Sequence, residues 1–151
     1  MNIIWVIGTQ PPCPRCKLLT KAVEAKVFEN EISAVVRHLA YTDAEAIEFA
    51  KGKGLEPGTA KDVAKAINQE IDMSKLTELL KDDSCDDSLE YSKYNDCNWS
   101  YKLDEFLRPY ENVAVEVGIM MTPVLIINGE IIHQGSVPSL TKLEKWLKEL
   151  K

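Results

Sequence analysis

Cys13-Pro14-Arg15-Cys16 holds two thiols at a Cys-x-x-Cys spacing. An apolar run, Ile3-Ile4-Trp5-Val6-Ile7, and a breaker segment, Gly8-Thr9-Gln10-Pro11-Pro12, lead into it. Behind it, Cys16, Leu19, Val23 and Val27 fall on one face of a helical pattern. Strand, turn, two thiols, helix is the setting in which a cysteine pair does redox chemistry. Pro14 suits the first helical position, where a missing N–H is no loss. Cys13 then lies at the helix N-terminus, where unpaired N–H groups and the helix dipole favour a thiolate. Cys16, one turn deeper, can reach back to the same sulfur. Arg15 is expected on the surface, its charge adding to the pull on the Cys13 proton.

Other residues offer weaker chemistry. Cys85 and Cys97 are candidates for a second disulfide on a long polar stretch, Lys81 to Ser100, that also holds Asp82, Asp83, Asp86, Asp87, Glu90 and Asp96. The alternative is two free thiols. That stretch lacks the alternating Asp/Asn and central Gly of an EF-hand, so it reads as a solvated acidic face. A zinc site wants four ligands. The second cysteines are too widely spaced for a second such pair, and His38 and His133 fall in strand patterns. No metal is assigned, although zinc or copper at Cys13 and Cys16 stays open as an alternative. Both histidines read as ordinary strand residues.

The elements that must position the pair follow in order. Ile3 to Ile7 has the continuous β-branched character of a strand buried on both faces. The first helix should run from about Pro14 to Phe28, and Ser33 to Ala40 reads as a second, parallel strand completing a βαβ unit. Thr42 with Glu45 fits a capping box for a helix ending at Gly52 or Gly54. Thr59 and Asp62 start another helix, with Val63, Ala64, Ile67 and Ile71 as its apolar stripe. Ser74 is the expected cap of a short helix bearing Leu76, Leu79 and Leu80. Tyr101 to Leu107 is helical until Pro109 breaks it, and Glu111 to Val117 is a separate helix. Asn128-Gly129 between two apolar runs predicts a hairpin. Ser139 caps a last helix with Leu140, Leu143, Leu147 and Leu150 on one face.

This order of Cys-x-x-Cys in a βαβ unit, then Gly118-Ile119-Met120-Met121-Thr122-Pro123-Val124-Leu125, Ile127-Asn128-Gly129 and Gly135-Ser136-Val137-Pro138-Ser139, resembles the thioredoxin/glutaredoxin superfamily. Within it, the sequence resembles the small glutaredoxin-like thioredoxins called redox-active disulfide proteins. The resemblance covers about residues 1–50 and 111–151. It implies an α/β, thioredoxin-like fold: a four-stranded mixed sheet in the order β-α-β-α-β-β-α. Residues 1–151 then form one domain, with about 55–108 as a helical insertion. The resemblance also implies a cis Pro123 beside the cysteine pair, with Thr122 and Pro123 positioning a substrate segment by strand-like backbone pairing. The glycine and aspartate pattern by which glutaredoxins hold glutathione is absent after the hairpin. The first strand carries no carboxylate, so the proton acceptor for the buried thiol is unassigned.

Composition fits this reading. The chain has 151 residues, 45% hydrophobic and 28% charged, with net charge −6. Residues 42–112 hold nine basic and seventeen acidic side chains, so the acidity belongs to the middle of the chain. An acidic protein without a basic stripe is a poor binder of nucleic acid. No apolar run approaches the ~20 residues that span a bilayer. Neither a basic leader nor a cleavage site is visible, and the cytoplasm is the expected location. The expected protein is a monomeric thiol–disulfide oxidoreductase without organic cofactor or metal. Its partners are client protein disulfides and an external reductant. A rival of another class is a binding module whose acidic insertion docks a partner, or whose cysteines coordinate a metal.

Overall fold

β-Branched and aliphatic residues from Asn2 to Gly8 form strand β1, the centre of the architecture. In this computed structural model, which describes residues 1–80, 91, 93–94 and 100–151, β1 pairs in parallel with β2 (Ala34–Ala40). On its other side it pairs antiparallel with β5 (Val124–Ile127). A hairpin joins β5 to β6 (Glu130–Gln134), giving the sheet order β2-β1-β5-β6. Asn128 and Gly129 both take positive φ, 50° and 83°, the requirement of the two-residue turn read from the sequence.

Because side chains alternate across a strand, the sheet feeds two cores. Ile4, Val6, Leu125 and Ile127 join one, with residues of α1 (Pro14–Glu29) and α6 (Leu140–Lys148). Trp5, Ile7, Val124 and Ile126 join the other, against Ala46 and Ala50 of α2 (Ala44–Gly52). Both faces are thus covered, as the unbroken apolar run of β1 requires. The Ser139 hydroxyl accepts from the Lys142 N–H, capping α6 as expected.

Between α2 and β5 the chain departs from the sequence reading in several places. Glu56–Gly58 is a short strand, β3, paired in parallel with β4 (Ile119–Met121). The expected stripe behind Thr59 ends early. Helix α3 spans Ala60–Ala66, and Asn68 at φ 57° turns the chain, although Ile71 is still buried. Its capping box of Thr59 and Asp62 is formed. Asp43, not Thr42, is the N-cap of α2, and no side-chain cap bond is made. Asp43 turns its carboxylate back to the Ala40 N–H instead. Ser74 lies inside α4 (Met73–Leu80), whose first turn is held by Asp72 through the Lys75 N–H at 3.1 Å.

Pro109 does not end a helix. Helix α5 runs unbroken from Tyr101 to Ala114 and passes into a 3₁₀ turn, Val115–Val117, so no separate helix starts at Glu111. The hydrogen bond that proline forfeits would have gone to the Glu105 carbonyl. Pro109 and Glu105 are both exposed, so water can take the freed acceptor there. Tyr91 and Tyr94, assigned from sequence to a polar loop, are buried against the main core. The Tyr91 hydroxyl donates to the Pro138 carbonyl at 2.7 Å, and that of Tyr94 to Glu29 at 3.1 Å. The expected disulfide of Cys85 and Cys97, and the acidic residues around it, lie outside the described residues. Among the described residues no helix is long and apolar enough to cross a membrane.

Candidate active site

The turn after β1 brings the two cysteines to the end of the central strand. The Thr9 hydroxyl accepts from the Cys13 N–H at 2.9 Å and donates to the Pro11 carbonyl, fixing the approach to the helix. The Gln10–Pro11 peptide is cis. Cys13 is the N-cap of α1 in an extended conformation, and Pro14 takes the first helical position. Cys13 is half-buried at the surface; Cys16 is fully buried one turn in. Both are free thiols, and the Cys16 sulfur lies 3.3 Å from that of Cys13.

The two sulfurs are driven apart in acidity. The Cys13 thiol is lowered from 9.0 to about 6. The S–H of Cys16 donating to its sulfur contributes most, and burial opposes the shift. The N–H of Cys16, the charge of Arg15 and the N–H of Arg15 also favour the thiolate. These N–H groups face the sulfur without closing a formal cap bond. Cys16 is pushed the other way, first by holding its proton against Cys13, then by burial and by the Cys13 charge. One sulfur is a thiolate near neutral pH and the other stays protonated. Such a division suits one thiol to attack and the other to resolve.

Arg15 is not on the surface. It is 5% exposed, and its Nε donates to Asp104 of α5 at 2.7 Å. Its Nη2 donates to the Gly135 carbonyl after β6. Asp104, 2% exposed, also accepts from the Val137 N–H at 3.4 Å. Sequence reasoning missed Asp104, which sits 89 residues away in a stretch read only as amphipathic. Arg15 thereby ties the start of α1 to α5 and to the loop between β6 and α6. Two more α5 residues hold that loop: Glu111 accepts from the Ser136 hydroxyl, and Arg108 donates to Glu111 at 2.7 Å. His133 shares the cluster through Ser136 at 2.9 Å. Burial lowers its pKa, with the Glu111 charge opposing.

A cis peptide bond joins Thr122 to Pro123. Thr122 and Cys13 line one groove of about 390 Å³, with Ile71, Leu76, Leu103 and Leu107 in its apolar lining. The expectation that the Thr122 backbone pairs with a substrate meets an obstacle. Its N–H already donates to the Gly58 carbonyl of β3 at 2.9 Å, so that donor is committed within the chain while β3 is in place. Pro14 contributes backbone geometry alone. Among the described residues no group of three or more histidine, cysteine or acidic side chains is arranged to hold a metal ion.

A family model for the thioredoxin domain matches residues 93–148, the part of the chain that carries α5, Thr122-Pro123, the hairpin and α6. No curated protein and no solved structure matches the chain. The match takes in Thr122-Pro123, and the cysteine pair stands on the same four-stranded mixed sheet, an arrangement that supports membership of the thioredoxin superfamily.

Proposed function

We propose that the protein is a thiol–disulfide oxidoreductase acting on protein disulfides. The fold is then thioredoxin-like, in the order β-α-β-α-β-β-α, and residues 55–108 are a largely helical insertion that supplies β3 and one wall of the groove beside Cys13. The Cys13 thiolate attacks a client disulfide, forming a mixed disulfide and releasing one client thiolate. The Cys16 sulfur then bonds to Cys13, the bond from Cys13 to the client breaks, and the second client thiolate departs. The client gains two electrons, and the cysteine pair ends as a disulfide that an external dithiol must reduce. No cofactor enters these steps.

The observation that carries this reading is the placing of two free thiols 3.3 Å apart, one half-buried at the N-cap of α1 and one enclosed a turn deeper. A structural cysteine pair needs no such asymmetry. Thr122, Pro123 and the apolar lining of the groove are where the client segment lies. The Arg15–Asp104 pair holds α1 and α5 in register across that groove.

The test is turnover of a protein disulfide with a dithiol donor. Cys13→Ser abolishes reduction, and Cys16→Ser stops after one attack with client attached. Full activity in Cys13→Ser would refute the assignment.

A further inference from the structure

Cys16 must give up its proton before it can attack, and with Cys13 bonded to the client, burial still disfavours the Cys16 thiolate. No carboxylate stands on β1 to accept it. We propose that His38, on the neighbouring strand β2, is the proton acceptor for Cys16; this rests on the oxidoreductase reading above.

Three contacts place the ring. Gly8 ends β1 beside His38 and has no side chain. A β-carbon there would lie 2.5 Å from Cys16 Sγ and 3.1 Å from His38 Cε1. Sulfur and imidazole therefore crowd the same spot beside Gly8, and His38 Cε1 lies at most 5.6 Å from Cys16 Sγ, the sum of those two distances. His38 Nε2 faces the Thr9 carbonyl at 3.2 Å. A carbonyl only accepts, so Nε2 carries a proton and Nδ1 is the basic nitrogen. Nδ1 faces the Thr20 hydroxyl at 3.4 Å. A hydroxyl can donate to a bare Nδ1 or accept from a protonated one. When Nδ1 is protonated, Thr20 still has a partner for its own hydrogen, the Cys16 carbonyl at 2.9 Å. The site thus holds both charge states of the ring by turning one hydroxyl.

The same two threonines hold the cysteine backbone: Thr9 accepts from the Cys13 N–H, and Thr20 donates to the Cys16 carbonyl. The groups around the ring are Cys16, Lys17, Lys21 and Glu24 of α1, with Gln10 and Pro12 of the turn closing the same shallow pocket. In the resolving step the Cys16 S–H passes its proton to Nδ1 and its sulfur bonds to Cys13. The Cys13–client bond breaks, and the client sulfur leaves with the bonding pair. The imidazolium then releases its proton to solvent through the open pocket.

Rapid-quench mass spectrometry of the full chain with a peptide disulfide separates the two steps, since attack releases the first peptide thiol and resolution the second. In His38→Gln, attack proceeds at the wild-type rate while resolution at neutral pH falls at least tenfold, because a positioned acid or base contributes ~10²–10⁴-fold. Resolution at the wild-type rate in a variant that attacks normally overturns the assignment. The pH profile is a second readout. An ionisation seen in the wild-type resolution rate disappears in His38→Gln. A profile identical in the two proteins overturns the assignment too. If no adduct forms on Cys13, the oxidoreductase reading falls and the role of His38 with it.

Discussion

Replacing Cys16 with alanine removes the S–H that donates to Cys13 across 3.3 Å, the largest influence holding the Cys13 thiol at about 6 against its ordinary 9.0. That difference is worth about 4 kcal/mol of preference for the thiolate, at about 1.36 kcal/mol per pKa unit. At neutral pH it separates roughly nine-tenths thiolate from roughly one-hundredth. A less acidic thiol makes a better nucleophile, with a Brønsted slope of about 0.4–0.5. If the whole shift were lost, a roughly 90-fold fall in thiolate would be offset by a roughly 15- to 30-fold gain in intrinsic reactivity. Alkylation at a single pH would then drop only about three- to six-fold, a poor discriminator. The midpoint of the pH profile is the better observable. For reduced wild type, alkylation of Cys13 followed by peptide mapping should show a midpoint near 6. In Cys16→Ala the midpoint should rise by at least about one unit, and Arg15 and the two N–H groups keep it below 9.0. A wild-type midpoint near 9, or an unmoved midpoint in Cys16→Ala, refutes the role given to the sulfur–sulfur hydrogen bond.

Three further outcomes follow from the same geometry. Because the folded Cys13 pKa lies below its unfolded value, the thiolate's contribution to stability is complete above about pH 9 and disappears as pH falls through 6. Urea unfolding of the reduced protein should therefore gain about 2 kcal/mol over Cys13→Ser between about pH 6.5 and pH 8; equal pH dependence in the two proteins would contradict this. Arg15→Met strands a buried carboxylate and should cost about 3–5 kcal/mol, whereas Arg15→Met with Asp104→Leu should recover most of that loss, both read by denaturant titration. Tyr91→Phe removes a buried bond to the Pro138 carbonyl and should lower unfolding free energy by about 0.5–1.5 kcal/mol, with no change in the Cys13 titration.

The framework was legible because its signals are local. The apolar run of β1, proline at the start of α1, Asn128-Gly129 and Ser139 each act within a few residues. What escaped depends on partners distant in sequence. Arg15 looks like a surface residue until α5 brings Asp104 to it, and nothing near Cys13 announces that carboxylate. Glu56-Pro57-Gly58 has the composition of a turn, and it becomes a strand only through pairing with β4. Pro109 is a helix breaker by type, but its position on the solvent side of α5 decides the outcome. His38 did leave a trace. A glycine ending the strand just before the cysteine turn leaves room for a neighbour's ring beside the buried sulfur, although strand alternation alone made that ring look ordinary.

The most direct test of the central claim is to trap the covalent intermediate. Cys16→Ser is mixed with a disulfide-bonded peptide, quenched by alkylation and digested for mass spectrometry. The account predicts a single peptide adduct, on Cys13, that is absent when Cys13 is also changed to serine and that free dithiol releases. Unmodified Cys13, or adducts distributed equally over Cys85 and Cys97, would contradict it.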